Sequence, residues 1–175
     1  MSEVLHNGLR LVTQTDEHWR EARDLRLEML TDAPTAFLDP LAKAQALTED
    51  AWRERQARYH ADPGCHSLAL VDESGRFVGQ ARGFVDRFGD LASVVLAAVY
   101  LSPTHRGGGA ASLLVEAVED WARTQGIPEM KLEVTDDNAR ALAFYTRLGY
   151  ELTGRSRPYP LGDRLRDLEM VKQLS

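Results

Sequence analysis

The stretch that decides the fold is Leu96-Ala97-Ala98-Val99-Tyr100-Leu101-Ser102-Pro103-Thr104-His105-Arg106-Gly107-Gly108-Gly109-Ala110-Ala111. With Val94 and Val95 ahead of it, its first part is an apolar run holding β-branched and aromatic residues, the pattern of a buried strand. Pro103 ends that strand, because it has no N–H to give a sheet ladder. Arg106 and three glycines follow, and an amphipathic run from Ala110 to Gln125 begins at once. The order is strand, glycine turn, helix start.

That order suits an anion. The first N–H groups of a helix have no partner within it, and the helix dipole places partial positive charge there. Glycines remove the Cβ atoms that would hold a phosphate away from backbone donors. Arg106 adds a fixed charge with forked donors. Four or five charge-assisted hydrogen bonds, each worth roughly 1.5–3 kcal/mol, would hold a pyrophosphate. A turn that only reverses the chain would use the same glycines. Two familiar phosphate loops are excluded. A P-loop has Lys-Ser/Thr after its last glycine, where this chain has Ala110-Ala111, and the Rossmann fingerprint has a glycine where this chain has Ser112.

The chain of 175 residues points to one domain, 1–175, long enough for a proper core. Its 43% hydrophobic and 27% charged residues are ordinary for a globular protein. No apolar run approaches the ~20 residues of a membrane span, and the N-terminus has no signal-peptide core, so no membrane partner and a cytoplasmic location are expected. The single Cys65 has no internal partner, which fits a reducing compartment. No Cys-x-x-Cys or His-Glu-x-x-His spacing occurs, and no metal is expected. A net charge of −6 weighs against nucleic acid and suits a cationic small molecule.

Outward from the glycine turn, the remaining elements read as follows. Leu9 to Thr13 is a short strand. Asp16 is expected to cap a helix running to about Thr31, before Asp32-Ala33-Pro34 stops it. Phe37 to Leu47 is a loop or broken helix, and Thr48 caps a helix to about Tyr59. Ser67 to Val71, Phe77 to Phe88 and Leu91 to Leu101 form a meander, turning at Asp72–Gly75 and Phe88–Asp90. The helix after the glycines is expected to bury Leu113, Leu114, Ala117, Val118 and Trp121. It closes at Gly126, and Met130 to Val134 is a strand parallel to its predecessor, being entered through a helical crossover. A helix opens at Asn138 and ends at Gly149. Tyr150 to Thr153 is a strand, Arg155 to Arg166 a loop, and Asp167 to Leu174 the closing strand. The class is α/β (α+β): a mostly antiparallel twisted sheet with one central parallel pair, flanked by helices.

Asn138 and Tyr145 lie seven positions apart on one helix, nearly two turns, so they share a face roughly 10 Å apart along the axis. One ligand could meet both; equally, Asn138 could only cap and Tyr145 only pack. The segment holding them, Asn138-Ala139-Arg140-Ala141-Leu142-Ala143-Phe144-Tyr145-Thr146-Arg147-Leu148-Gly149-Tyr150, is similar to the Asn-x-x-Ala-x-x-x-Tyr-x-x-x-Gly-Phe/Tyr segment of GCN5-related N-acetyltransferases (the GNAT superfamily). Arg106, Gly109 and Ala111 resemble that superfamily's Arg/Gln-x-x-Gly-x-Gly/Ala signature, and the two motifs stand in the same order. With the order of elements, the resemblance spans the chain, most specifically residues 94–155.

The resemblance implies acetyl-CoA as cosubstrate, bound in a V-shaped gap between the two parallel strands. Backbone groups at Val99, Tyr100 and Leu101 would pair with the pantetheine arm. N–H groups of Arg106, Gly107, Gly108, Gly109, Ala110, Ala111 and Ser112 would hold the pyrophosphate, and Asn138 would bond to the arm. Tyr145 would act as general acid toward the departing thiolate, and a backbone N–H near Val99 would polarise the carbonyl. The implied reaction moves acetyl to a primary amine of a small molecule (an antibiotic, amino acid or polyamine) by direct attack through a tetrahedral intermediate. A protein N-terminal or lysine acetyltransferase and a non-catalytic acetyl-CoA-binding regulatory module are the alternatives. Dimers are common in the superfamily, so a homodimer is expected by analogy. One departure stands out. Many members carry a glutamate on the strand before the glycine loop, whereas Leu91 to Pro103 holds no carboxylate. Asp86, Asp90 and Glu133 on neighbouring segments are the remaining candidates for the base. Cys65 as an acyl-carrying nucleophile has no activating neighbour in sequence.

Overall fold

The computed structural model describes residues 8–88, 91–162 and 164–175. Gly89 and Asp90 of the expected turn, and Asp163 of the expected loop, lie outside them. In chain order the elements are β1 (Arg10–Thr13), α1 (Trp19–Asp32), α2 (Leu41–Gln45), α3 (Glu49–Ala61), β2 (Cys65–Val71), β3 (Phe77–Asp86), β4 (Ser93–Leu101), α4 (Ala110–Thr124), β5 (Glu129–Thr135), α5 (Ala139–Arg147), β6 (Glu151–Pro158) and β7 (Arg166–Gln173). The seven strands form one sheet in the order β1-β2-β3-β4-β5-β7-β6. Only β4 and β5 run parallel; every other neighbouring pair is antiparallel.

Each face of the sheet buries its own core. On one face α4 and α5 cover Val94, Met130, Leu132, Val134 and Met170 with Leu114, Val115, Val118 and Tyr145. On the other, Leu25 and Met29 of α1 pack on Ala69, Phe77 and Tyr100. Behind them, Trp19, Leu30, Ala44 and Trp52 knit α1, α2 and α3 together.

Three expectations need correcting. Asp16 does not cap α1: it opens a 3-10 turn, Asp16–His18, whose cap is Thr15, paired reciprocally with the His18 ring. The buried stripe of α4 is Ala110, Leu114, Val115, Val118 and Ala122, whereas Leu113, Ala117 and Trp121 are half-exposed at its edge. Glu119 is buried within that stripe because Tyr150 and Lys172 satisfy its carboxylate, at 3.0 Å and 2.8 Å. Finally, the expected loop from Arg155 begins as strand: β6 pairs with β7 as far as Pro158 opposite Arg166.

Candidate active site

The site begins with a defect in β4. Two steps along β3, from Gln80 to Arg82, face three along β4, from Ala97 to Tyr100. The extra residue is accommodated at Ala98, which takes φ = 53°, a left-handed conformation that costs a side-chain-bearing residue about 1–3 kcal/mol. The Gln80 amide donates to the Ala98 carbonyl at 3.4 Å. Such a bulge bends its strand, and β4 leaves β5 at this point. The two strands pair only at Val94 with Met130 and Val95 with Lys131. Beyond these pairs the edge of β4 that faces β5 has no strand partner among the described residues. The gap is lined by Leu96–Val99 and Leu132–Thr135, with Phe37 from the α1 side and Tyr145 from the α5 side. It opens into a cleft of about 610 Å³ that reaches the glycine loop.

Val99, Tyr100 and Leu101 line that cleft as expected. The Tyr100 ring, however, turns to the α1 face, edge-on to Phe37, with its hydroxyl donating to Glu28 at 3.2 Å. Only its backbone faces a ligand arm.

At the loop, Gly107 and Gly109 have φ of 89° and 83°, and a Cβ at either would meet nothing within 4 Å. Side chains are kept out by backbone conformation and by the space a ligand would take. The N–H groups of Gly107, Gly108, Gly109, Ala110 and Ala111 have no acceptor among the described residues. Those of Arg106 and Ser112 do: they donate to Pro103 at 3.3 Å and Gly109 at 3.0 Å. Gly107, Gly109, Ala111 and Ser112 line the cleft, whereas Gly108 and Ala110 line a smaller hollow beside Leu9 and His105. The Arg106 guanidinium is a strut: Nε donates to the Leu101 carbonyl at 2.8 Å, and Nη2 pairs with Asp32 of α1. It fixes the loop to the end of β4, with its charge matched by Asp32. A free cradle of N–H groups at the start of a 15-residue helix fits a diphosphate.

The α5 motif explains how Tyr145 is aimed. Asn138 caps the helix, its Oδ1 accepting from Ala141 N–H at 3.1 Å, which leaves its amide N–H groups for the cleft it lines. At the other end, Tyr150 N–H donates to Tyr145 C=O at 3.0 Å and Gly149 N–H to Thr146 C=O at 3.0 Å. This is a Schellman closure, which needs the left-handed φ of 88° that Gly149 supplies. The Tyr145 ring is held edge-on between Phe144 and Tyr150, and Tyr150 is anchored to Glu119 on α4. Tyr145 is 9% exposed. Its hydroxyl has no hydrogen-bond partner among the described residues, and burial holds it above the ordinary tyrosine value, so it keeps its proton.

The carboxylates sort themselves by place. Asp86 accepts from Phe88 N–H at 2.9 Å at the end of β3, away from the cleft. Asp90 lies outside the described residues. Glu133 lines the gap, ion-paired with Arg157. Burial pushes its carboxyl above the ordinary glutamate value, Arg157 opposes the push, and Asp167 and Glu169 add to it. Cys65 lines neither the gap nor the cleft, and burial pushes its thiol up. Phe37, in the segment expected to flank the acceptor end, lines the cleft, whereas sequence reasoning missed Arg140 and Arg147 as lining residues. The two arginines are seven apart but stand two positions after Asn138 and Tyr145, about 200° round the helix, so the spacing that pairs Asn138 with Tyr145 does not find them.

A split parallel pair, a glycine cradle and an aimed tyrosine define an acyl-CoA-dependent transferase. The model of the acetyltransferase (GNAT) family matches residues 21–150, and the chain belongs to that family. By that membership it is an acetyltransferase. An uncharacterized N-acetyltransferase of Mycobacterium tuberculosis is 35% identical over 121 residues, 69% of this chain and 74% of that one. An L-methionine sulfoximine/L-methionine sulfone acetyltransferase of Pseudomonas aeruginosa is 30% identical over 106 residues, 60% of this chain and 59% of that one. Among solved structures, the spermidine N-acetyltransferase of Vibrio cholerae with CoA and spermine superposes with a TM-score of 0.75 at 16% identity, covering 96% of each chain. That of yncA from Salmonella typhimurium with acetyl-CoA gives 0.71 at 21% identity, covering 95% of this chain and 94% of that one.

Proposed function

We propose that the protein acetylates a primary amine of a small molecule, with acetyl-CoA lying along the open edge of β4. The observation that carries this reading is the gap itself. It joins the glycine cradle to Tyr145, Phe37 and Glu133 in one connected space between the split strands.

The cosubstrate supplies an acetyl thioester. The N–H groups of Gly107 to Ala111 would hold its diphosphate, with Arg140 and Arg147 adding positive charge at the cleft. Backbone groups at Val99 and Leu101 would pair with the arm, and the Asn138 amide would donate to it. A thiol of pKa near 8.5 leaves as thiolate, and a tyrosine held above 10 transfers a proton to it uphill by ~2 kcal/mol or more. Tyr145 therefore serves chiefly as a hydrogen-bond donor to the sulfur, worth ~1.5–3 kcal/mol. Glu133 is the carboxylate placed to take the proton of an ammonium acceptor, and its raised pKa brings it nearer that task. A cytoplasmic location goes with the same reading, supported by the free thiol of Cys65.

Thiol release from acetyl-CoA tests this, measured over aminoglycosides, polyamines, amino acids and short peptides. A small-molecule acceptor is expected, with kcat falling about 10- to 100-fold in Tyr145→Phe while acetyl-CoA binding persists. Turnover on peptides alone would overturn the acceptor class, and an unchanged kcat would remove Tyr145 from the chemistry. Glu133→Gln is expected to slow an alkylamine by ~10²-fold or more, and an acceptor of low amine pKa far less. Equal loss on both would dismiss it as the proton acceptor.

A further inference from the structure

Between α1, α3 and β3 lies a second cavity, of about 20 Å³, walled by Trp19, Trp52, Tyr59 and Gln80 and by three arginines, Arg26, Arg55 and Arg82. Arg82 is 8% exposed. Its Nε donates to Ser67 Oγ at 2.7 Å, and its guanidinium lies 3.8 Å from the centroid of the Tyr59 ring. Neither partner is a carboxylate, and no carboxylate among the described residues pairs with Arg82. Arg26 and Arg55 share a single oxygen, Asp39 Oδ2, at 3.1 Å each. Three guanidiniums thus line one cavity, and among the described residues a single carboxylate pairs with two of them, leaving a surplus of two positive charges.

An arginine cannot shed its proton to escape burial, and a buried charge without a counter-charge is strongly unfavourable. Burial pushes Arg26 and Arg82 below the ordinary arginine value, and the neighbouring guanidiniums push them further. The cavity holds one water-sized occupant, which excludes sulfate, phosphate and any organic acid. Its walls offer three guanidinium groups and the Gln80 amide.

We propose that this cavity binds one monatomic monovalent anion of chloride size, held by Arg82 with Arg26 and Arg55. The site is separate from the acetyl-CoA cleft, and its claim does not rest on the acceptor reading. Gln80 connects the two, since it walls the cavity and donates to Ala98 in the β4 bulge.

Thermal unfolding of the full chain in sodium chloride and in sodium gluconate at equal ionic strength tests the proposal, because gluconate is too large to enter. Chloride at ten times its Kd is expected to raise Tm by about 3–6 °C over gluconate, saturably. Arg82→Met is expected to abolish the difference. Equal Tm in the two salts, or an undiminished chloride effect in Arg82→Met, would overturn the site. Crystals of the unaltered protein grown in bromide give a readout that needs no variant. An anomalous peak beside the Arg82 guanidinium is expected, and its absence at high occupancy of bromide elsewhere would also overturn the site.

Discussion

Gly109→Ala separates the strain of a left-handed residue from the loss of an anion cradle. Gly109 caps α4 with φ = 83°, and its added Cβ would meet nothing within 4 Å. Alanine there clashes with no other residue, and the stability cost is the backbone's own, ~1–2 kcal/mol. The chain relieves that cost by rotating toward negative φ. Doing so turns the N–H groups of Ala110 and Ala111 off the diphosphate. Losing one charge-assisted hydrogen bond, ~1.5–3 kcal/mol, raises Kd for acetyl-CoA about 10- to 150-fold. Gly126, just beyond the other end of the same helix, is the internal control: φ is 69° and its Cβ would also be free. Gly126→Ala is expected to lower the urea midpoint by a similar amount and leave Kd alone. Calorimetric titration with acetyl-CoA, and with a pantetheine fragment lacking the diphosphate, reads the difference. If Gly109→Ala binds acetyl-CoA as Gly126→Ala does, or weakens the fragment equally, the cradle is not where the diphosphate sits.

Other outcomes follow from the packing and the charges. Gly83→Ala places a Cβ 2.7 Å from Val118 Cγ1 and 3.0 Å from Trp121, so overpacking between β3 and α4 should cost ~1–3 kcal/mol in urea unfolding with an unchanged m-value. Glu119→Gln keeps the Tyr150 bond but takes the counter-charge from Lys172, for a loss of about 2 kcal/mol. Glu133 gives a pH signature. Its folded-state pKa lies above the unfolded value, so the folded state binds the extra proton, and stability falls as pH rises from the unfolded value through the folded one. Stability of the native protein relative to Glu133→Gln should therefore decline across that interval when unfolding is followed at pH 4.5, 5.5 and 7, and a flat difference would contradict the burial argument.

The elements legible in the sequence were those with a local cause. Thr48 caps α3 through its own hydroxyl, at 3.2 Å from Ala51 N–H. The Gly149-Tyr150 pair closes α5 by bonds spanning only a few residues, and the crossover through α4 makes β5 parallel to β4. What escaped the reading depends on distant partners. Arg106 reads as a free charge beside a phosphate loop until Asp32, 74 positions away, is seen to hold it. The burial of Glu119 depends on Tyr150 and Lys172, which arrive from other elements. The bulge at Ala98 has no signature of its own, since alanine is an ordinary strand residue and only the register against β3 reveals it. Of three candidate acids, sequence proximity gave no order. Only the fold places Glu133 at the gap and Asp86 at the far turn.

The pinning of β4 to β5 by just two register pairs has a mechanical consequence. Val94 and Met130 are fully buried there, so this joint is stiff, while the strands beyond it diverge freely. From Val95 to Leu101, where β4 is paired with β3 alone, the arm is about 20 Å long at ~3.3 Å per residue. A change of sheet twist of about 5° at the joint would swing the tip by roughly 1.7 Å, on the scale at which reacting groups fall out of attack geometry. The sheet thus works as a lever, with its fulcrum in the core and its load at the thioester. Substitutions that repack the fulcrum can degrade turnover without touching a single residue of the cleft.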